Sequence, residues 1–187
     1  MHHRSMSSVA DDLSAQGIAT LRYQFPYMER GSRRPDPPAL CHATVRAAVA
    51  EASRVATGLP LFAGGRSFGG RMTSQAQALT PLPDVRGLAF LAFPLHPAGR
   101  PSQDRAEHLA QVQIPMLFLT GTRDELATLE LLEPVVQRLG KLATLKLLRE
   151  ADHSFHARAA SGRRDPEVRQ EMILALVEWL RWWTSAS

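Results

Sequence analysis

Leu59-Pro60-Leu61-Phe62-Ala63-Gly64-Gly65-Arg66-Ser67-Phe68-Gly69-Gly70 (LPLFAGGRSFGG, 59–70) is the stretch on which the fold turns. A short apolar run ends in two glycines, and a single hydroxyl then stands among residues with little or no side chain. Pro60 to Ala63 reads as a strand and residues 67–79 as a helix, so Ser67 falls at a strand-to-helix turn. Gly65-Arg66-Ser67-Phe68-Gly69 matches G-x-S-x-G, in which a serine is held on a sharp, strained turn with its hydroxyl projecting. Glycines before and after it let strand and helix backbones come close. The helix that starts there also aims free N–H groups and a positive dipole end at the site, which favours an oxyanion. Alone the pattern is weak. A chance match in a chain of this length arises about one time in twenty, and a glycine-rich turn with an incidental serine would look the same.

Outward from that turn, strands and helices alternate. Residues 5–16 carry apolar positions at helical spacing and stop at Gly17, and Ile18 to Tyr23 is a short β-prone run. Phe25 to Pro38, with Pro26, Gly31, Pro35, Pro37 and Pro38, reads as a long loop, and residues 42–57 as an Ala-rich helix. Val85 to Phe93, Ile114 to Thr120 and Ala143 to Leu148 are the later strands; a helix over 126–139 separates the last two. Asp165 and Pro166 then open a helix that runs to about Trp183, as an N-cap and an N1 proline. This order implies right-handed crossovers and a mostly parallel sheet with helices on both faces, a three-layer α/β fold in one domain over residues 1–187. The runs at 88–93 and 114–119 are apolar enough for strands buried on both sides.

Composition narrows the class. At 187 residues, 44% hydrophobic and 21% charged, the chain can bury a real core and is neither disordered nor fibrous. No run of about eighteen apolar residues predicts a membrane span. The opening MHHRSMSSVADD lacks the apolar segment of a secretory signal. Cys41 is the only cysteine, so no internal disulfide forms and a reducing, cytoplasmic setting is expected. Net charge is +4, with Arg30, Arg33 and Arg34 clustered. No aromatic residues interleave with that cluster, so it reads as a solvated loop and nucleic acid is not an expected partner.

Chemistry in open parallel sheets gathers at the carboxyl ends of the strands. Asp124 follows the 114–120 strand after a glycine turn, where a carboxylate would orient an imidazole; alternatively, Asp124 or Thr122 would cap the helix over 126–139. His153 follows the last strand in Ala151-Asp152-His153-Ser154-Phe155, with His156 as a competitor three residues on. His153 is preferred because it lies nearer the strand end. Ser67, Asp124 and His153 each follow a different predicted strand, and their chain order is Ser, Asp, His. Arg66 and Arg22 would hold a substrate carboxylate, or form ordinary salt bridges. His96 in Pro94-Leu95-His96-Pro97 would line the pocket, or simply occupy a rigid proline turn.

On LRYQFPYM (21–28), GGRSFGGRM (64–72), FPLHPAGRP (93–101), TGTRDEL (120–126) and ADHSF (151–155), the chain resembles the α/β hydrolases. More narrowly, it is similar to their small dienelactone-hydrolase-like branch. The resemblance implies a serine hydrolase of the esterase, thioesterase or acyl-hydrolase type acting on a small acyl substrate. It makes Ser67 the nucleophile, Asp124 the acid, His153 the base and the N–H of Phe68 an oxyanion donor. Neither metal nor organic cofactor is called for. Dienelactone hydrolases themselves use cysteine as nucleophile, so their substrate is not implied. Members of the family also begin with strands and an HG-A-G loop that supplies a second oxyanion N–H, whereas this sequence opens at MHHRSM. Loss of one such donor costs about 10²–10³ in turnover, which keeps a catalytically silent interaction scaffold as the alternative function. The absent strand would lie between 18–23 and 60–63, so those two are expected to pair directly. Trp179, Trp182 and Trp183 are expected to cover the sheet, with a homodimer face as the alternative.

Overall fold

The computed structural model describes residues 4–185. In it β1 (Leu61–Arg66), β2 (Val85–Leu91), β3 (Met116–Gly121) and β4 (Ala143–Leu148) build one sheet in the order β1-β2-β3-β4, every pair parallel. The helices are α1 (Arg4–Ala15), α2 (Pro26–Glu29), α3 (Pro38–Val55), α4 (Phe68–Leu79), α5 (Leu129–Leu139) and α6 (Asp165–Ser185). A 3-10 helix, Asp104–Gln111, joins β2 to β3.

Side-chain alternation along the central strands makes the layers. Leu88, Phe90, Met116 and Phe118 meet Val45 and Val49 of α3, Met72 and Ala76 of α4, and Leu132 and Val135 of α5. Ala89, Leu91, Leu117 and Leu119 meet Val9 and Leu13 of α1 and Val168, Met172 and Leu176 of α6. Because strand order follows chain order in one direction, right-handed crossovers place α4, the 104–111 helix and α5 on the same face. The opposite face is left to α1 and α6. The three-layer α/β fold expected from the sequence is the fold observed. Among the described residues no helix is long and apolar enough to cross a membrane.

Several boundaries differ, each for a physical reason. Residues 18–23 form no strand and do not pair with β1, which is an edge strand bonded to β2. Ile18 packs against the core under α1 and α6, whereas Phe25 is buried in the other core. The segment therefore crosses from one face of the sheet to the other and cannot run along β1. Helix α3 starts earlier than periodicity suggested, because Pro37 and Pro38 preset its first turn. The long 25–38 loop contains α2 and is tied by Asp36, whose carboxylate accepts the Tyr27 N–H at 2.7 Å and the Arg30 guanidinium. Asp165 accepts the Ala157 N–H at 2.8 Å, fastening the loop before α6. Trp179 is buried with its ring edge-on to Phe62, 5.6 Å between centroids, while Trp182 is 69% exposed.

One polar contact in the first core carries a measurable pH dependence. His108 Nε2 lies 2.7 Å from Ser74 Oγ between the 104–111 helix and α4. Burial, reinforced by the charges of Arg71 and His42, pushes this imidazole down to about 4. An unfolded histidine titrates near about 6.5, so as pH falls the unfolded chain binds the proton first. The associated stability is complete above that value and lost between about 6.5 and about 4. From pH 7 to pH 5 the wild-type chain is expected to lose about 2–4 °C of Tm beyond the loss seen in His108→Gln, about 1 kcal/mol for a partly screened ring. Parallel melting curves for the two proteins at both pH values check it.

Candidate active site

The first residue of the site owes its position to a bend in the backbone. Ser67 sits between β1 and α4 with φ 49° and ψ −115°, a left-handed φ that non-glycine residues rarely adopt. Its N–H donates to the Leu91 carbonyl at 2.9 Å, which ties the turn to the end of β2. The hydroxyl makes no capping bond to α4. Three of the surrounding glycines are needed for close approach, and only one of them belongs to the pattern. A Cβ on Gly64 would stand 2.0 Å from the Ala89 carbonyl oxygen, and one on Gly70 would stand 2.7 Å from that of Gly65. A Cβ on Gly65 would meet the Gly69 and Gly70 backbone at 3.0 Å. Gly69, the last glycine of G-x-S-x-G, has nothing within 4 Å, so Gly70 rather than Gly69 lets helix and strand touch.

Asp124 follows β3 in a turn closed by its own N–H donating to the Gly121 carbonyl at 3.1 Å. It does not cap α5, which starts only at Leu129 behind Thr128. The carboxylate is buried, and its Oδ1 accepts the Leu126 N–H at 2.9 Å. His153 Nδ1 lies 2.9 Å from Oδ1 and 2.8 Å from Oδ2 of Asp124. A carboxylate only accepts, so Nδ1 carries the proton and donates it. Nε2 is then the acceptor, and Ser67 Oγ is 2.8 Å from it.

The segment bearing His153 is held on several sides. Thr122 Oγ1 accepts the Glu150 N–H at 2.9 Å, and the Arg123 N–H donates to Ala151 O at 2.9 Å. Asp152 Oδ1 accepts the N–H groups of Ser154 at 2.7 Å and His156 at 2.9 Å. That turn sends the exposed His156 ring outward, 3.8 Å from Asp152, and leaves His153 facing inward. Thr122, a candidate cap for the 126–139 helix, thus holds the His153 segment instead; the role of Asp152 had no sign in the sequence beyond the Asp-x-Ser spacing of a side-chain turn.

The remaining candidates scatter. Phe68 opens α4, so its N–H has no intrahelical partner, and its ring packs edge-on against Phe25 at 5.5 Å between centroids. Arg66 is half-buried; burial holds its guanidinium below the usual range and the charge of Asp152 opposes that shift. Arg22 is exposed and donates from Nη1 to Ser7 Oγ of α1 at 2.8 Å, so it is engaged with α1. His96 is only 1% exposed, with Nδ1 donating to Pro97 O at 2.9 Å, and it lies beneath the loop rather than on an open wall. Among the described residues no three His, Cys, Asp or Glu side chains are grouped to hold a metal ion.

Comparison with known proteins agrees with this architecture. A serine hydrolase homologue from Coxiella burnetii superposes with a TM-score of 0.73 at 20% identity, over 94% of this chain and 77% of that one. An α/β serine hydrolase without lid from Xanthomonas campestris gives 0.71 at 22% identity, over 96% and 75%. A protein of unknown function from Agrobacterium tumefaciens gives 0.71 at 20% identity, over 95% and 78%. At these identities the likeness is one of fold. A family model described as an alpha/beta hydrolase domain matches residues 1–181, and the chain therefore belongs to the alpha/beta hydrolase family.

Proposed function

We propose that this protein is a serine hydrolase that cleaves small carboxylic esters, thioesters or amide-like acyl substrates. One observation carries the reading: Ser67 Oγ lies 2.8 Å from His153 Nε2, while Nδ1 of the same ring lies 2.8 Å from Asp124 Oδ2. In this reading Ser67 Oγ attacks the substrate carbonyl carbon and His153 Nε2 takes the hydroxyl proton. The carbonyl oxygen becomes an oxyanion that the Phe68 N–H and the positive end of α4 stabilise. As the bond to the leaving group breaks, His153 returns the proton to it, leaving an acyl-serine. Water, deprotonated by the same imidazole, then releases the carboxylic acid and restores Ser67. Asp124 keeps the ring in the required tautomer and offsets its positive charge while protonated. The lone, buried thiol of Cys41 suits a reducing cytoplasmic setting.

A fluorophosphonate probe tests the assignment. The folded wild-type chain is expected to acquire one adduct, mapped to Ser67 by peptide mass spectrometry, and Ser67→Ala none. A sample that melts cooperatively yet never labels would overturn the proposal and favour an interaction scaffold.

A further inference from the structure

Arg71 stands one helical turn beyond Ser67 on α4, and its N–H donates to the Ser67 carbonyl at 3.2 Å. Side chains on a helix lean toward its N-terminus. The Arg71 guanidinium accordingly lies over the Phe68 ring, its central carbon 5.4 Å from the ring centroid. Among the described residues Arg71 takes part in no ion pair, and its Nε is buried without a hydrogen-bond partner.

A second arginine adds positive charge here. The 104–111 helix meets α4 at this point: Ser74 Oγ donates to the Arg71 carbonyl at 3.0 Å and lies 2.7 Å from His108 Nε2. Arg105 stands three residues before His108, and its charge joins burial in holding the Arg71 guanidinium below its ordinary range. Arg105 is positioned by its Nη1 donating to the His96 carbonyl at 3.0 Å and its N–H to that of Leu95 at 3.3 Å. It too makes no ion pair among the described residues. Keeping two like charges close, one of them half-buried and unpaired, is destabilising unless an anion joins them. Arg66 differs, because the charge of Asp152 already acts on it.

We infer that Arg71 and Arg105 form an anion subsite beside Ser67 that receives a free carboxylate on the acyl chain, so that the preferred substrates are half-esters or half-thioesters of short dicarboxylic acids. The inference rests on the reading of Ser67 as nucleophile. Four residues of α-helix advance about 6 Å along the axis, and the backward lean of Arg71 shortens that span. An acyl group of about five or six carbons, its far carboxylate bonded by the guanidinium forks, bridges such a distance.

The test compares two esters with one leaving group, p-nitrophenyl valerate and mono-p-nitrophenyl glutarate, on the full chain. The quantity read is the ratio of kcat/KM for the anionic ester to that for the neutral one. This ratio is expected to fall about 10- to 100-fold in both Arg71→Gln and Arg105→Gln, and to recover in part in Arg71→Lys. Raising salt from about 50 to about 500 mM should lower it in wild type. A ratio equal in wild type and in both glutamine variants, all melting cooperatively, would overturn the subsite. Calorimetric titration of Ser67→Ala with monomethyl glutarate separates this failure from that of the hydrolase reading. Binding that disappears in Ser67→Ala/Arg71→Gln supports the subsite even if the wild-type chain hydrolyses neither ester, in which case the nucleophile assignment falls. Turnover of the valerate ester with no binding of monomethyl glutarate keeps the hydrolase and discards the subsite.

Discussion

His153→Ala is expected to lower kcat for p-nitrophenyl valerate by about 10⁴-fold or more, with a far smaller change in KM. The imidazole is the single group between the Ser67 hydroxyl and the Asp124 carboxylate, 2.8 Å from each. Without it the hydroxyl has no acceptor for its proton and the leaving group no donor. Asp124→Asn is expected to lower kcat by about 10⁴ as well, because an amide that turns its N–H toward Nδ1 selects the wrong tautomer. Combining Ser67→Ala with His153→Ala should cost little beyond the worse single change, since the two groups act as a unit. His156→Ala serves as the control: the ring is exposed, 3.8 Å from Asp152, and the variant should retain turnover within a factor of about two. Steady-state kinetics on the four variants decide it. A His153→Ala protein that keeps wild-type turnover would remove this histidine from the mechanism.

The second large effect is expected from Gly121→Ala. A Cβ there would stand 2.2 Å from the Ala151 carbonyl oxygen, 2.6 Å from its carbon and 2.8 Å from the Asp152 oxygen. All three are backbone atoms, so no side chain can swing aside. Relief requires the 151–152 backbone to move away from β3, and the Arg123 N–H bond to Ala151 O, 2.9 Å, would be lost with it. The cost is expected to be about 3 kcal/mol, or roughly 6–12 °C of Tm. Because His153 follows directly on this backbone, a displacement of about 1 Å should also lower kcat about 10²-fold. Gly69→Ala gives the contrast. Open space surrounds that position, so an alanine in the first turns of α4 should leave stability unchanged or raise it by up to about 1 kcal/mol. Thermal melts of both proteins, with activity at a temperature where each is folded, test the pair.

What the sequence determined by itself is local. Val85 to Leu91 and Met116 to Gly121 are apolar enough, and bounded closely enough by glycine and proline, that no other element suits them. Their alternation with helices leaves little choice but a parallel sheet. Ser67 is legible for the same reason: the strained turn is written in neighbouring residues. Partner choice is different, because it depends on distances across the sheet that no neighbouring residue encodes. Ser67 and His153 lie 86 positions apart yet 2.8 Å from one another only through the registers of β1, β2, β3 and β4. The same dependence explains why Asp124 faces His153 instead of capping α5, and why His153 rather than His156 turns inward. Residues 18–23 have the composition of a strand but are drawn across the sheet by the packing of Ile18 and Phe25 on opposite faces. Arg71 carried no sign at all in the sequence, since a charge shows itself as unpaired only when every neighbour in space has been placed. Propensity acts between residues a few bonds apart, whereas proton sharing and charge pairing act over a few ångströms of space, and only tertiary structure converts one into the other.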